Sequence, residues 1–381
     1  MAPECLTSDS PGNNQLLYFT SPSLLEDGRT LVMISDRTGH PNLVARDLAT
    51  GREWLLTENA SGWLRSYVYF DGRVEEGFGR ASVSLDPARG RIYHLQGLEL
   101  RRIDLSGGTR TIATLPRGQV SAFTHVSADG KRLCVPTTDD RALEGPLKDG
   151  RPAHDIDKRV QEEGLRSWLR VYDCETGALL ACPEIPRAWI THVQFSPADP
   201  SLILYNHEWP GDCGIRRMWL WDGRTHLPLR TEGEGRSRRD WTCHEMWADG
   251  GASVLYHGAY ADGGAAYLGR WTREKGPTEA ALPASWHRYG HFTASRSGNR
   301  FVSDGYYQEA DDPEARGGAW ISLQEVDWGK GSVAWTPLCR HGSSWKGQDN
   351  HPHPVFDPTD RWIYFTSDAG GKRAVWRVAV P

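Results

Sequence analysis

The sequence of 381 residues has no stretch approaching the ~18 to 20 unbroken apolar residues that a membrane-spanning helix needs, so no membrane segment is expected. Its start, Met1 to Asn13, is polar and carries Pro3, Glu4, Asp9 and Pro11. It offers neither a basic n-region nor an apolar h-region, and no secretory signal is read there. Cysteine is sparse, with seven residues (Cys5, Cys134, Cys174, Cys182, Cys213, Cys243 and Cys339), odd in number and without a C-x-x-C pair. That argues against a disulfide framework or a zinc knuckle and points to cytosolic thiols, hence a cytoplasmic setting. Basic runs are missing too. With 44 Lys+Arg against 49 Asp+Glu the net charge is −5, which speaks against nucleic acid as the main partner. There is no G-x-S-x-G elbow, no G-x-x-x-x-G-K-[ST] loop, no G-x-G-x-x-G fingerprint and no H-E-x-x-H helix.

Long stretches of 3.6-residue periodicity are also scarce. In their place stand 41 Gly, 23 Pro and 17 Trp, a composition of short strands and tight turns. One unit recurs: a short inward strand, a turn of Ser/Asp, Pro and Gly, then a β-branched or aromatic strand. Its seven copies begin at Ser21, Val83, His125, His192, His244, His291 and His353. Most are followed by a second hairpin. Asp47–Gly51 and Asp173–Gly177 carry the Asp-x-x-Thr-Gly chemistry that joins two antiparallel strands. Two hairpins per unit and seven units predict an all-β, seven-bladed β-propeller, a single domain over residues 1–381. Only one strand, Arg373–Val380, follows the seventh copy. The N-terminal run Leu16–Thr20 is expected to join that last blade and close the ring, removing an open sheet edge. A polar insert at about 139–164 reads as a long loop or short helix. The acidic stretch Gln308–Gly318 reads as a solvated loop.

Histidine placement carries the chemistry. His125, His192, His244, His291 and His353 all open an inner strand, so equivalent positions on successive blades point toward one end of the channel. The strongest local motif is Gln348-Asp349-Asn350-His351-Pro352-His353-Pro354. On an extended strand His351 and His353 face the same side, and the two prolines restrict the backbone that carries them. Gln348 can add an oxygen and His291 a third nitrogen, leaving positions open for water or substrate, as a working metal requires. Such ligation suits zinc, nickel or iron. Arg217 suits a carboxylated substrate through bidentate pairing, with an ion pair between blades as the alternative. Trp209 can stack on a sugar ring, although most of the tryptophans read as core.

Over about residues 190–370 the chain resembles the oligogalacturonate lyases, the cytoplasmic seven-bladed propellers that finish bacterial pectin breakdown. The matching segments are His207-Glu208, Arg217-Met218-Trp219-Leu220, Cys243-His244-Glu245 with Trp247, and His291. They continue through Arg340-His341, Ser344-Trp345-Lys346, Gln348, His351-Pro352-His353-Pro354 and Phe365-Thr366-Ser367-Asp368. The resemblance implies a manganese site of His291, Gln348, His351 and His353. It implies His244 as the base that removes the C5 proton of a uronate, and Arg217 as the partner of the substrate carboxylate or of the developing charge. Candidate substrate-binding positions are His192, His207, Trp209 and Lys346, and the expected partner is an acidic oligosaccharide. The chain departs from the family pattern at Gly211, where a histidine is usual, and at Gly347, where a basic residue is usual. A lyase for another uronate-containing oligosaccharide and a non-catalytic metal-binding propeller are the alternative readings.

Overall fold

The middle strands of the repeats are buried on both faces, which is why they read as near-continuous apolar runs rather than alternating ones. Thr30–Ser35 and Asn42–Asp47 have ten of twelve residues buried, whereas the outer strand Gly108–Thr114 has none. The computed structural model describes residues 2–62, 64–65, 78–79, 82–148, 151–208, 216–230, 241–260, 265–282, 291–296, 298–305 and 320–381. Trp209 and the acidic stretch 308–318 lie outside them.

The chain divides into two compact units. One comprises Met1–Phe19, Ser23–Thr57 and Arg239–Pro381 and holds four antiparallel sheets, each of four strands. In chain order the first is Asn14–Leu16, Thr30–Ser35, Asn42–Asp47 and Glu53–Leu55. The fifth runs from Trp241–Ala248 to Gly276–Ala281, and the sixth from Phe292–Ala294 to Ser332–Arg340. The seventh is Val355–Phe356, Trp362–Ser367, Ala374–Ala379 and Glu4–Cys5. Val302, Ile321 and Leu323 of the sixth sheet share one core with Ile363, Phe365 and Val378 of the seventh. The other unit, Thr20–Pro22 and Glu58–Arg238, holds the second, third and fourth sheets. The fourth consists of Val193–Phe195, Ile203–Asn206, Met218–Trp221 and His226–Pro228. These are the seven blades, and the fold class is the all-β, seven-bladed propeller.

The vacancy in the last blade is filled from the N-terminus, but by a different strand from the one expected. Glu4 and Cys5 pair with Arg377 and Trp376. Leu16–Thr20 is not that strand: Leu16 ends the inner strand of the first blade opposite Met33, and the run then leaves the sheet. Burial explains the exchange. The fourth position of a blade is half-exposed, which suits Glu4, whereas Leu16, Leu17 and Tyr18 are almost wholly buried.

The expected turns form as chemistry requires. Asp47 Oδ1 accepts from the N–H groups of Ala49 and Thr50, and Asp173 Oδ1 from Glu175 and Thr176. Gly51 and Gly177 close them at φ 71° and 72°, a region costly for any side chain. The insert contains a two-stranded hairpin, Leu147–Lys148 with Arg151–Pro152, and the helix Ile156–Glu163. Asp155 caps that helix at its N-terminus and Gly164 ends it in the left-handed region. Among the described residues no helix is long and apolar enough to cross a membrane.

Candidate metal centre and active site

The site is built on a repeated backbone device. The residue just ahead of a blade's inner strand lies opposite the residue at or just past the end of its second strand, and the latter's side chain holds the former. In the first blade Asp36 accepts from the backbone N–H and the amide of Asn13, both at 2.7 Å. The same position in the sixth blade is Asp304. Its Oδ1 accepts from the N–H of His291 at 2.5 Å, and its Oδ2 lies 3.0 Å from His291 Nδ1.

Asp304 also reaches the next blade, where its Oδ2 accepts from the N–H of His353 at 3.0 Å. The carboxylate is fully buried. Burial alone would raise its pKa, but the charge and hydrogen bond of His291, with His341 and His351 beyond, hold it below the usual carboxylate value. Because a carboxylate can only accept, His291 carries its proton on Nδ1. His353 likewise donates from Nδ1 to the carbonyl of His351 at 3.0 Å. Both rings thus keep Nε2 as a ligand atom. His291, His351 and His353 each bring a ring nitrogen within 4.8 Å of the other two. Imidazoles backed by a buried carboxylate and a backbone carbonyl are the ordinary second layer of a metal site, so this donor set fits a divalent cation. Gln348 opens the short helical turn Gln348–Asn350 immediately before His351.

His244 joins this group. Its ring centre lies 4.9 Å from that of His291, and its Nδ1 is 2.7 Å from Nε2 of His257. It sits in a bulge where the register jumps from Cys243 opposite His257 to Met246 opposite Leu255. Two aromatic rings complete the surroundings: Phe19, 5.3 Å from His244 and 5.9 Å from both His291 and His353, and Tyr18, 4.8 Å from His353. Trp345 packs 4.5 Å from His351. His244, Trp345 and His353 have φ of 52°, 57° and 46°, conformations that non-glycine residues rarely adopt and that cluster where function constrains the backbone.

A second cluster lies in the other unit. Arg217 is the largest fully buried side chain described. Its Nη1 is 3.5 Å from Glu208 Oε2, and its Nη2 is 3.3 Å from His192 Nδ1. Glu208 also accepts from Asn206 at 2.6 Å and from the hydroxyl of Thr191. Asn206 Oδ1 in turn accepts from the N–H groups of Thr191 and His192 at 3.0 and 2.8 Å, the same second-strand device with an amide. His207 is buried between Tyr205 and Trp219, and burial, with His226 adding to it, lowers its pKa to about 4. His125 is a structural residue: its Nδ1 accepts from the N–H of Phe195 at 3.1 Å.

The structure therefore brings together His244, His291, His351 and His353. Separately, it groups Arg217 with His192. Lys346 is exposed, on the loop between Trp345 and Gln348. Sequence reasoning missed Asp304, His257, Phe19 and Tyr18. Asp304 did leave a signal, because an Asp follows the Ser that ends the second strand at both Ser35-Asp36 and Ser303-Asp304. The rings of Tyr18 and Phe19 lie in the run expected to form the closing strand.

Comparison with known proteins adds the following. The family profile described as oligogalacturonate lyase matches residues 167–381. The oligogalacturonide lyase of Pectobacterium atrosepticum is 26% identical over 96% of this chain and 89% of its own. The oligogalacturonate lyase of Dickeya dadantii is 25% identical over the same shares. Among solved structures, an oligogalacturonate lyase in complex with manganese superposes with a TM-score of 0.76 at 23% identity, covering 97% of this chain and 90% of that one. The oligogalacturonate lyase from Vibrio parahaemolyticus gives 0.77 at 20% identity, covering 99% and 93%.

Proposed function

The chain belongs to the oligogalacturonate lyase family, and we propose that it cleaves oligogalacturonate by metal-dependent β-elimination. The observation that carries this reading is the convergence of three imidazoles, His291, His351 and His353, with the ring of a fourth, His244, 4.9 Å from that of His291. A metal-ligand set with a nearby imidazole outside it is what proton abstraction beside a carboxylate needs. His291, His351 and His353 would hold the ion, with Gln348 as oxygen donor, and the manganese-bound relative favours Mn²⁺. When bound, a divalent ion acts as a Lewis acid that offsets the negative charge developing on the uronate carboxylate.

The protein's own groups do the rest. Neutral His244 takes the proton from C5. The electron pair of the broken C–H bond forms the C4–C5 double bond, the C4–O bond breaks, and the departing oxygen acquires a proton. The products are a shortened chain and an unsaturated uronate. Arg217, itself fully buried, is the cation proposed to steady the developing charge, its guanidinium held in one orientation by Glu208 and His192. His192 and His207 act from buried positions, as supports rather than direct contacts, and exposed Lys346 meets the acidic substrate. The thiol usage of the chain favours action in the cytoplasm.

The test is incubation with Mn²⁺ and oligogalacturonate while following the ultraviolet band of conjugated unsaturated uronates. The wild-type chain is expected to generate it. His244→Ala should keep its metal and fold yet lose about 10² to 10⁴ in rate. No absorbance from the wild type, or full activity in His244→Ala, overturns the reading.

A further inference from the structure

We propose that His257 is a positioning residue for His244, fixing which of its two ring nitrogens faces the substrate. The inference rests on the reading of His244 as the base. It starts from the second-strand device seen in three blades. Val193 pairs with Tyr205 and Phe292 with Ser303, which sets His192 opposite Asn206 and His291 opposite Asp304. In the fifth blade the bulge after Cys243 brings His244 to the side chain of His257. Each time the second-strand side chain approaches Nδ1 of the inner-strand histidine. The distances are 3.5 Å from Asn206 to His192, 2.7 Å from His257 to His244 and 3.0 Å from Asp304 to His291.

Two neutral imidazoles joined at 2.7 Å need one donor and one acceptor. If His257 donated, the proton of His244 would sit on Nε2 and that nitrogen could not act as a base. If His244 donates from Nδ1, its Nε2 keeps a lone pair and can abstract a proton. When Nε2 is protonated in the reaction, the Nδ1–H bond to His257 persists, and the second imidazole disperses the charge that forms. His257 is 3% exposed and packs its ring 4.5 Å from Phe292, so it supports His244 from behind. Leu268 stands opposite it on the third strand of the blade.

Cys243, His244 and His257 also gather three ligand atoms within 4.8 Å of one another. Two imidazole nitrogens bound at about 2.0 Å to one tetrahedral ion stand about 3.3 Å apart. At 2.7 Å the pair is at hydrogen-bond distance instead, and the cluster is a proton-bearing dyad.

The experiment compares two variants of nearly equal shape on the manganese-loaded protein with oligogalacturonate. His257→Gln keeps an acceptor and His257→Met removes it. His257→Met should lower kcat about 10- to 100-fold with KM and manganese content unchanged, while His257→Gln stays within about fivefold of the wild type. A purely structural role would impair both variants alike, so equal kcat values overturn the proposal, as does wild-type kcat in His257→Met. His244→Ala is measured alongside. If it is inactive while His257→Met is unimpaired, the positioning role alone falls. If it is active, the base assignment falls and takes this proposal with it.

Discussion

Replacing Asp304 by Asn removes one charge and changes the volume hardly at all, so it isolates what the buried carboxylate does for the metal centre. Asp304 accepts three donors: His291 N at 2.5 Å on one oxygen, and His291 Nδ1 and His353 N at 3.0 Å on the other. An amide keeps a single oxygen. Its least damaging orientation leaves that oxygen where two donors meet and turns its NH₂ toward the N–H of His291. The N–H of His291 and the amide's own NH₂ are then buried without an acceptor, each costing about 1–3 kcal/mol of folding stability. The ligand imidazole loses its anionic partner as well, and outer partners of this kind are worth about 10- to 100-fold in metal affinity, or about 1.4–2.7 kcal/mol. Calorimetric titration with Mn²⁺ gives the affinity, and thermal melting of the metal-free protein gives the stability. Asp304→Asn should bind manganese at least about tenfold more weakly and melt lower. An unchanged Kd together with an unchanged melting midpoint would refute the assignment of Asp304 as the support of this site.

Two stability predictions concern positions away from the metal centre. His125 and His207 are held neutral, with burial lowering each to about 4, while an unfolded histidine titrates near 6.5. The unfolded chain therefore takes up protons first. Stability should be insensitive to these two groups above about pH 6.5 and fall between about 6.5 and 4, by up to about 1.4 kcal/mol per pH unit for each. Denaturant unfolding at a series of pH values reads this directly, and a flat profile down to pH 4.5 contradicts it. Gly177→Ala would place a methyl carbon 1.8 Å from the carbonyl oxygen of Ile112 at φ 72°, whereas Gly51→Ala in the same kind of turn meets only the flexible Arg46 guanidinium, 3.4 Å away at its nearest atom. The first should cost about 2–4 kcal/mol and the second about 1. Equal losses in urea unfolding would show that the close approach is not rigid.

Local chemistry in the chain was enough for the blades themselves. The turn of Asp47 needs only its own next three residues to accept hydrogen bonds, and the buried middle strands announce themselves by apolar runs such as Thr30–Ser35. The His351-Pro352-His353 motif was equally legible, because two imidazoles two residues apart need no distant partner to share a direction. Asp304, His257 and Phe19 were not. Each acquires its role from pairing across strands: Asp304 is ordinary until the register sets it opposite His291 and within reach of His353 from the following blade.

The same division explains the N-terminus. That a strand had to complete the seventh blade follows from counting strands along the chain. Which residues supply it depended on burial in the closed blade, where half-exposed Glu4 suits the outer edge and the apolar run after Asn14 is worth more inside. The sequence by itself thus determined the repeat, the turns and the histidine motif, since these rest on interactions within a few residues. Only the tertiary structure decided the closing strand, the support of His291 by Asp304 and the pairing of His244 with His257. Those depend on register between strands, where a shift of one residue turns every side chain to the opposite face.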